Sequence, residues 1–207
     1  MDYVRNINYF FFSTGFARVL YPVGETTSLE QQRTLCPDPL LWENYTFPYT
    51  PFLFMPHVVL IQPQIPPNTG NIARTCAATN TELHLVGPLG FEISDRYLKR
   101  AGLDYWPYVS LHCHDSLAAF QTYHQQYGGR WIGFSVAGSF SHVNFRFQPD
   151  DWLLFGSETT GLPSSVLSAC AATVHIPMTQ RSVRSLNLSV SVAVGLFEAR
   201  RQLGYLK

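Results

Sequence analysis

His57-Val58-Val59-Leu60-Ile61 runs directly into Gln62-Pro63-Gln64-Ile65-Pro66-Pro67-Asn68-Thr69-Gly70-Asn71-Ile72-Ala73-Arg74. The first stretch is β-branched and aliphatic, the composition of a strand buried on both faces. The second is a polar loop stiffened by three prolines, in which Asn68 or Thr69 can cap a following helix. Strand, loop and helix in this order begin a βα unit, and the pattern recurs downstream. Strands are expected at 57–62, 82–87, 108–113, 130–136, 151–157 and 172–177. Helices are expected at about 70–80, 94–101, 116–127, 163–171 and 186–202. Such alternation predicts an α/β fold: a mainly parallel sheet with helices on both faces.

Upstream of this unit the chain changes character. Residues 1–54 are rich in Phe, Tyr, Pro and Thr, hold no helical or strand period, and are broken by Pro37, Pro39, Pro48 and Pro51. They read as an irregular extension ahead of a domain at 55–207. An over-extended reading frame with its natural start at Met55 explains them; a targeting or partner-binding tail is the alternative. Asp2, Glu25 and Glu30 sit badly in a transit peptide, and Tyr9-Phe10-Phe11-Phe12 is too short and too interrupted for a secretory signal. Nor does any apolar run approach the ~20 residues of a membrane span.

The whole chain carries a formal net charge of zero, and only 14% of its residues are charged. Residues 55–207 hold 11 Lys/Arg against 9 Asp/Glu, which is little for a nucleic-acid binder. Local pairs at Lys99-Arg100, Arg181/Arg184 and Arg200-Arg201 either meet phosphates or form ordinary solvated surface. The four cysteines are scattered without a C-x-x-C, which suits a reducing, cytoplasmic setting. In His112-Cys113-His114-Asp115 only the two histidines share a strand face, and no partner cluster is evident, so no metal site is expected.

Chemistry concentrates in three polar or Gly-rich segments, each straight after a strand, where open parallel sheets bind ligands. The first is the loop 62–74. Arg74 is expected in the first turn of its helix, where the macrodipole disfavours a cation; it is either a phosphate grip or an ordinary surface arginine. The second is Phe155-Gly156-Ser157-Glu158-Thr159-Thr160-Gly161-Leu162-Pro163, whose glycines allow close backbone approach and whose Glu158 sits at the tip. A plain turn with a helix-capping acid is the alternative there. The third, Ile176-Pro177-Met178-Thr179-Gln180-Arg181-Ser182-Val183-Arg184-Ser185-Leu186-Asn187-Leu188-Ser189, is polar and basic and leads into an apolar helix. Its Ser185, Asn187 and Ser189 want partners. No Walker loop or G-x-G-x-x-G is present.

The last helix carries Leu186, Leu188, Val190, Val192, Ala193, Val194, Leu196, Phe197 and Ala199, apolar nearly all round. It is either buried within the chain or covered on one side by a second subunit.

Together, in this order, the three segments resemble the motifs of the SPOUT superfamily of RNA methyltransferases. Lys99-Arg100-Ala101-Gly102-Leu103-Asp104-Tyr105 and Arg200-Arg201-Gln202-Leu203-Gly204-Tyr205 bring the resemblance to small bacterial enzymes that methylate tRNA nucleotide 34 on its ribose 2′-hydroxyl. The resemblance implies a deep trefoil knot in the C-terminal part, a homodimer, S-adenosylmethionine as cofactor and the tRNA anticodon loop as partner. It places the cofactor at Phe134, Gly156, Ile176, Ser185 and Leu186. It makes Arg74 the catalytic position, with Asn68, Glu158, Ser185 and Asn187 shaping the loops around it. Methylation of another tRNA or rRNA nucleotide, and a non-catalytic RNA-binding protein on the same scaffold, are the competing expectations.

Overall fold

The computed structural model describes residues 55–91, 105–180 and 182–206. The helix expected at 94–101, the pair Lys99-Arg100, Arg181 and residues 1–54 lie outside them. The elements are β1 (His57–Ile61), α1 (Pro66–Thr79), β2 (Leu83–Val86), a 3-10 turn (Trp106–Tyr108), β3 (Leu111–His114) and α2 (Leu117–Tyr127). They continue with β4 (Arg130–Phe134), β5 (Phe140–Ser141), β6 (Asp151–Phe155), α3 (Ser164–Ala169), β7 (Ala172–His175) and α4 (Leu188–Gln202). The strands form one sheet in the order β3-β2-β1-β6-β4-β7-β5. Every pairing is parallel. Only the two-residue β5, too short for a periodic signal, was absent from the expected strands.

Alternation along the strands builds two cores. Val58, Leu60, Leu83, Leu85, Ile132, Leu153, Phe155 and Val174 face one side, under Ile72 and Cys76 of α1 and Leu188, Val192 and Leu196 of α4. Val59, Ile61, Val86, Trp131, Trp152 and Leu154 face the other, under Phe120 of α2 and Val166 of α3. Both faces of the sheet are therefore covered, as expected of a parallel sheet. At its amino edge Asp151, fully buried, receives Arg130 in a two-pronged ion pair of 2.8 and 2.9 Å, plus the Gln148 N–H at 2.7 Å.

Helix α1 begins four residues before the expected start. Pro66 and Pro67 occupy its first two positions, where a missing N–H costs nothing. Its N-cap is Ile65, which offers no capping side chain, while Asn68 and Thr69 lie buried in the first turn rather than capping it. Helix α4 starts at Leu188, because Asn187 takes the N-cap and its side chain accepts the Ser189 N–H at 2.8 Å. Leu188, Val192, Gly195, Leu196 and Ala199 form its buried stripe. Val190 and Phe197, 47% and 43% exposed, line the opposite face with exposed Leu186 just ahead of the helix. Among the described residues, α4 is thus covered on one side only.

Both members of the pair Arg200-Arg201 have partners within the chain. Arg200 Nη1 donates to the Thr79 carbonyl at 2.8 Å, closing the end of α1, and Arg201 is paired with Glu198. No helix among the described residues is long and apolar enough to cross a membrane.

Candidate active site

Parallel pairing puts the carboxyl ends of β1, β6, β4 and β7 side by side, so the loops that follow them open on one edge. These loops include the three segments singled out from sequence.

Glu158, in the loop after β6, reaches the start of α1. Its Oε2 accepts the Gln64 N–H at 2.9 Å; its Oε1 accepts the Ile65 N–H at 3.2 Å and Asn68 Nδ2 at 3.0 Å. A carboxylate from 90 residues away thus caps the helix that has no cap of its own, and its charge complements the positive end of the dipole. Asn68 passes the connection on: its Oδ1 accepts Asn187 Nδ2 at 3.0 Å. Asn187 Oδ1 in turn accepts the Ser189 N–H and hydroxyl at 2.8 and 2.7 Å. Each amide donates with its nitrogen and accepts with its oxygen, so one polarity runs through the whole relay. Glu158, Asn68 and Asn187, one from each segment, are tied together. The plain turn with an acid capping its own following helix is not what forms: α3 has Pro163 at its N-cap without a side-chain cap, and Glu158 caps the distant α1 instead.

Arg74 is the ninth residue of α1, beyond reach of the terminal dipole, which removes the reason for calling it misplaced. Its exposed guanidinium lies over the Tyr105 ring, 4.7 Å from the centroid, and the Tyr105 hydroxyl donates to the Gly70 carbonyl at 2.9 Å. Tyr105 therefore anchors to the helix and supports Arg74 at once. The sequence carried Tyr105 only as the end of a similar stretch. Its partnership with a residue 31 positions earlier has no local signature.

Gly156 is buried against the chain that doubles back on it, and a Cβ there would collide with the backbone of Gly161 and Leu162. Gly161 takes φ +70 and donates to the Ser157 carbonyl at 2.9 Å, while the Ser157 and Thr160 hydroxyls meet at 2.7 Å. Ile176 is half-buried; Ser185 and Leu186 are exposed. The Phe134 ring belongs to the core, stacked on Phe155 at 4.4 Å, so a ligand would meet this position through its backbone.

The SpoU rRNA Methylase family profile matches residues 55–197. A Synechocystis protein described as a putative tRNA (cytidine(34)-2'-O)-methyltransferase is 60% identical over 149 residues, which is 72% of this chain and 97% of that protein. A Burkholderia ambifaria tRNA (cytidine(34)-2'-O)-methyltransferase is 45% identical over 72% of this chain and 96% of its own. A solved structure concerned with 2-OH methylation of C/U34 on tRNA superposes with a TM-score of 0.69 at 52% identity, over 74% of this chain and 99% of that one. The SpoU methyltransferase AviRb from Streptomyces viridochromogenes, solved with AdoMet, gives 0.65 at 25% identity, over 72% and 58%. On its sequence and on its sheet, the chain belongs to the SpoU rRNA methylase family.

Proposed function

We propose that this chain transfers a methyl group from S-adenosylmethionine to the ribose 2′-hydroxyl of wobble nucleotide 34, a C or modified U in the tRNA anticodon loop. The relay Glu158–Asn68–Asn187 carries the proposal, because it fixes three otherwise independent loops around one edge, beside the helix that bears Arg74. Similarity over nearly the whole length of relatives named for that activity, one of them as putative, supports the choice of nucleotide.

The residues present fit the cofactor. The loop after β6 is folded tightly at Gly156, where a Cβ would collide with Gly161 and Leu162, and apolar Val136, Ile176 and Leu186 are exposed or half-buried at the loops after β4 and β7. The backbone at Phe134, with Gly156, Ile176, Ser185 and Leu186, would hold it. When bound, it supplies a methyl group activated on a sulfonium sulfur. The protein's own task is then mainly alignment of the ribose oxygen. Arg74 grips the phosphate beside the target ribose and stabilises charge that gathers on the 2′-oxygen. A guanidinium has only donors and no acceptor, so it does not take the proton, which passes to a phosphate oxygen or to water. Glu158, Asn68 and Asn187 hold the loops in register, and Ser185 lies two residues ahead of the relay.

Residues 55–207 form the working domain, threaded as a trefoil knot at its C-terminal end, and 1–54 are an extension outside it. Two copies pair through the uncovered face of α4, at Leu186, Val190 and Phe197. With few basic groups per chain, RNA binding draws on both subunits, in the cytoplasm. Mapping of 2′-O-methylation in tRNA from cells with and without the gene tests the activity: the methyl at nucleotide 34 should vanish, and an unchanged anticodon sinks the proposal. In vitro, Arg74→Ala should abolish transfer while cofactor binding stays near normal.

A further inference from the structure

The sheet supplies the partner cluster that His112 and His114 lack in the sequence. His57 opens β1, Glu82 immediately precedes β2, His84 lies within β2, and register pairs His84 with both Val59 and His112. Four side chains from three adjacent strands thereby converge at the amino ends of β1 to β3. The catalytic loops leave the opposite ends of the strands.

The convergence is on one carboxylate oxygen. His57 Nδ1, His84 Nε2 and His112 Nε2 lie 3.3, 3.5 and 3.6 Å from Glu82 Oε2. The donor atoms of His57, Glu82 and His84 all fall within 4.8 Å of one another. His57 Nδ1 and His84 Nε2 are buried and meet Glu82 only as loose ion-pair contacts that lack hydrogen-bond geometry, and the His84 side chain is fully enclosed. Buried nitrogens gathered around one carboxylate oxygen without well-formed hydrogen bonds call for an explanation. Around a tetrahedral ion with bonds of 2.0–2.1 Å, neighbouring ligand atoms stand about 3.3–3.4 Å apart, close to the three nitrogen–oxygen separations seen here.

We propose that His57, Glu82 and His84, with His112 alongside, bind a zinc ion at a site separate from the methyl-transfer edge. Imidazole nitrogens with one carboxylate suit zinc, and hard oxygen-seeking cations are poorly served by this set. The surroundings orient the ligands as metal sites require. His84 Nδ1 is 3.0 Å from His114 Nε2, so a proton held on Nδ1 and donated there leaves the Nε2 lone pair to face Glu82. His57 stacks on Trp152 at 4.1 Å, and His84 stacks on His112 at 4.6 Å, which limits ring rotation. Glu82 and His112 are partly exposed, giving an ion a way in. Bound there, zinc clamps β1, β2 and β3 together and supports the fold without taking part in methyl transfer.

The full chain, prepared without a histidine tag and stripped with chelator, is titrated with zinc chloride by calorimetry. Bound metal is counted after dialysis. One zinc per chain is expected, with a thermal midpoint that rises with zinc. Glu82→Gln and His57→Gln, each checked for native circular dichroism, should weaken binding roughly tenfold or more. Absence of stoichiometric zinc in the wild-type chain overturns the proposal. So does undiminished affinity in a folded variant, since the ion would then sit elsewhere.

Discussion

Asn187 Nδ2 donates to Asn68 Oδ1 at 3.0 Å across 119 residues of sequence, and Asn68 Nδ2 donates onward to Glu158. The carboxylate ends this relay as a pure acceptor, holding two backbone N–H groups besides the amide. So engaged, Glu158 is expected to position a loop rather than to shuttle protons. Glu158→Gln keeps the shape but turns one acceptor oxygen into a donor against a backbone N–H. It should cost about 1–3 kcal/mol of stability in denaturant unfolding. Methyl transfer should slow while the shape of its pH profile is unchanged. Loss of a limb from that profile would instead mark Glu158 as an acid or base.

Tyr105 tests how far Arg74 depends on its support. Tyr105→Phe removes the hydroxyl bond to Gly70 and keeps the ring, so the cation–π contact survives. Tyr105→Ala removes both. Such a contact is worth about 0.5–1 kcal/mol when exposed, several-fold in rate if Arg74 must be held in place. Turnover should fall modestly in Tyr105→Phe and further in Tyr105→Ala, with cofactor affinity unaffected in both. Equal activities would show that the ring does not position Arg74.

Much of this architecture was legible because strand periodicity is local. All six expected strands appear, since Val58, Leu60, Leu153 and their neighbours alternate between two buried faces. Helix starts were less legible. The start of α1 is set by Glu158, 90 residues away, and by prolines that read equally well as loop or first turn. The relay pairing and the Tyr105–Arg74 contact are products of strand order, which no local pattern encodes. The histidine cluster escaped for the same reason: β1, β2 and β3 each contribute one or two members.

Phe134 and Gly195 show a different dependence, between a ring in β4 and the spacing of α4. A Cβ on Gly195 would come within 2.5 Å of Phe134 Cζ, so the helix packs this close because the residue is glycine. Gly195→Ala should therefore cost about 1–3 kcal/mol through overpacking, despite the better helix propensity of alanine. In a Phe134→Leu background the same change should cost under about 1 kcal/mol, because the shorter side chain leaves room. A double-mutant cycle by urea unfolding measures the coupling. Identical costs in the two backgrounds would show that the ring does not set the spacing.

Cys76 gives the fold an alkaline weakness of known sign. The residue is fully enclosed between α1 and the sheet, and burial pushes its thiol from 9.0 up to about 12. The folded chain thus keeps the proton between those values, while the unfolded chain releases it. Stability from this group is complete below about pH 9 and is lost as pH rises toward 12. At 1.36 kcal/mol per unit, the loss is at most about 4 kcal/mol. Other groups titrate in the same range, Cys170 among them, pushed up to about 11 by burial. The informative quantity is therefore the difference between wild type and Cys76→Ala. The substitution lowers stability by a packing cost that does not vary with pH, but it should flatten the decline between about pH 9 and about pH 11. Parallel curves for the two proteins would show that the thiol ionises as readily folded as unfolded, contrary to its burial.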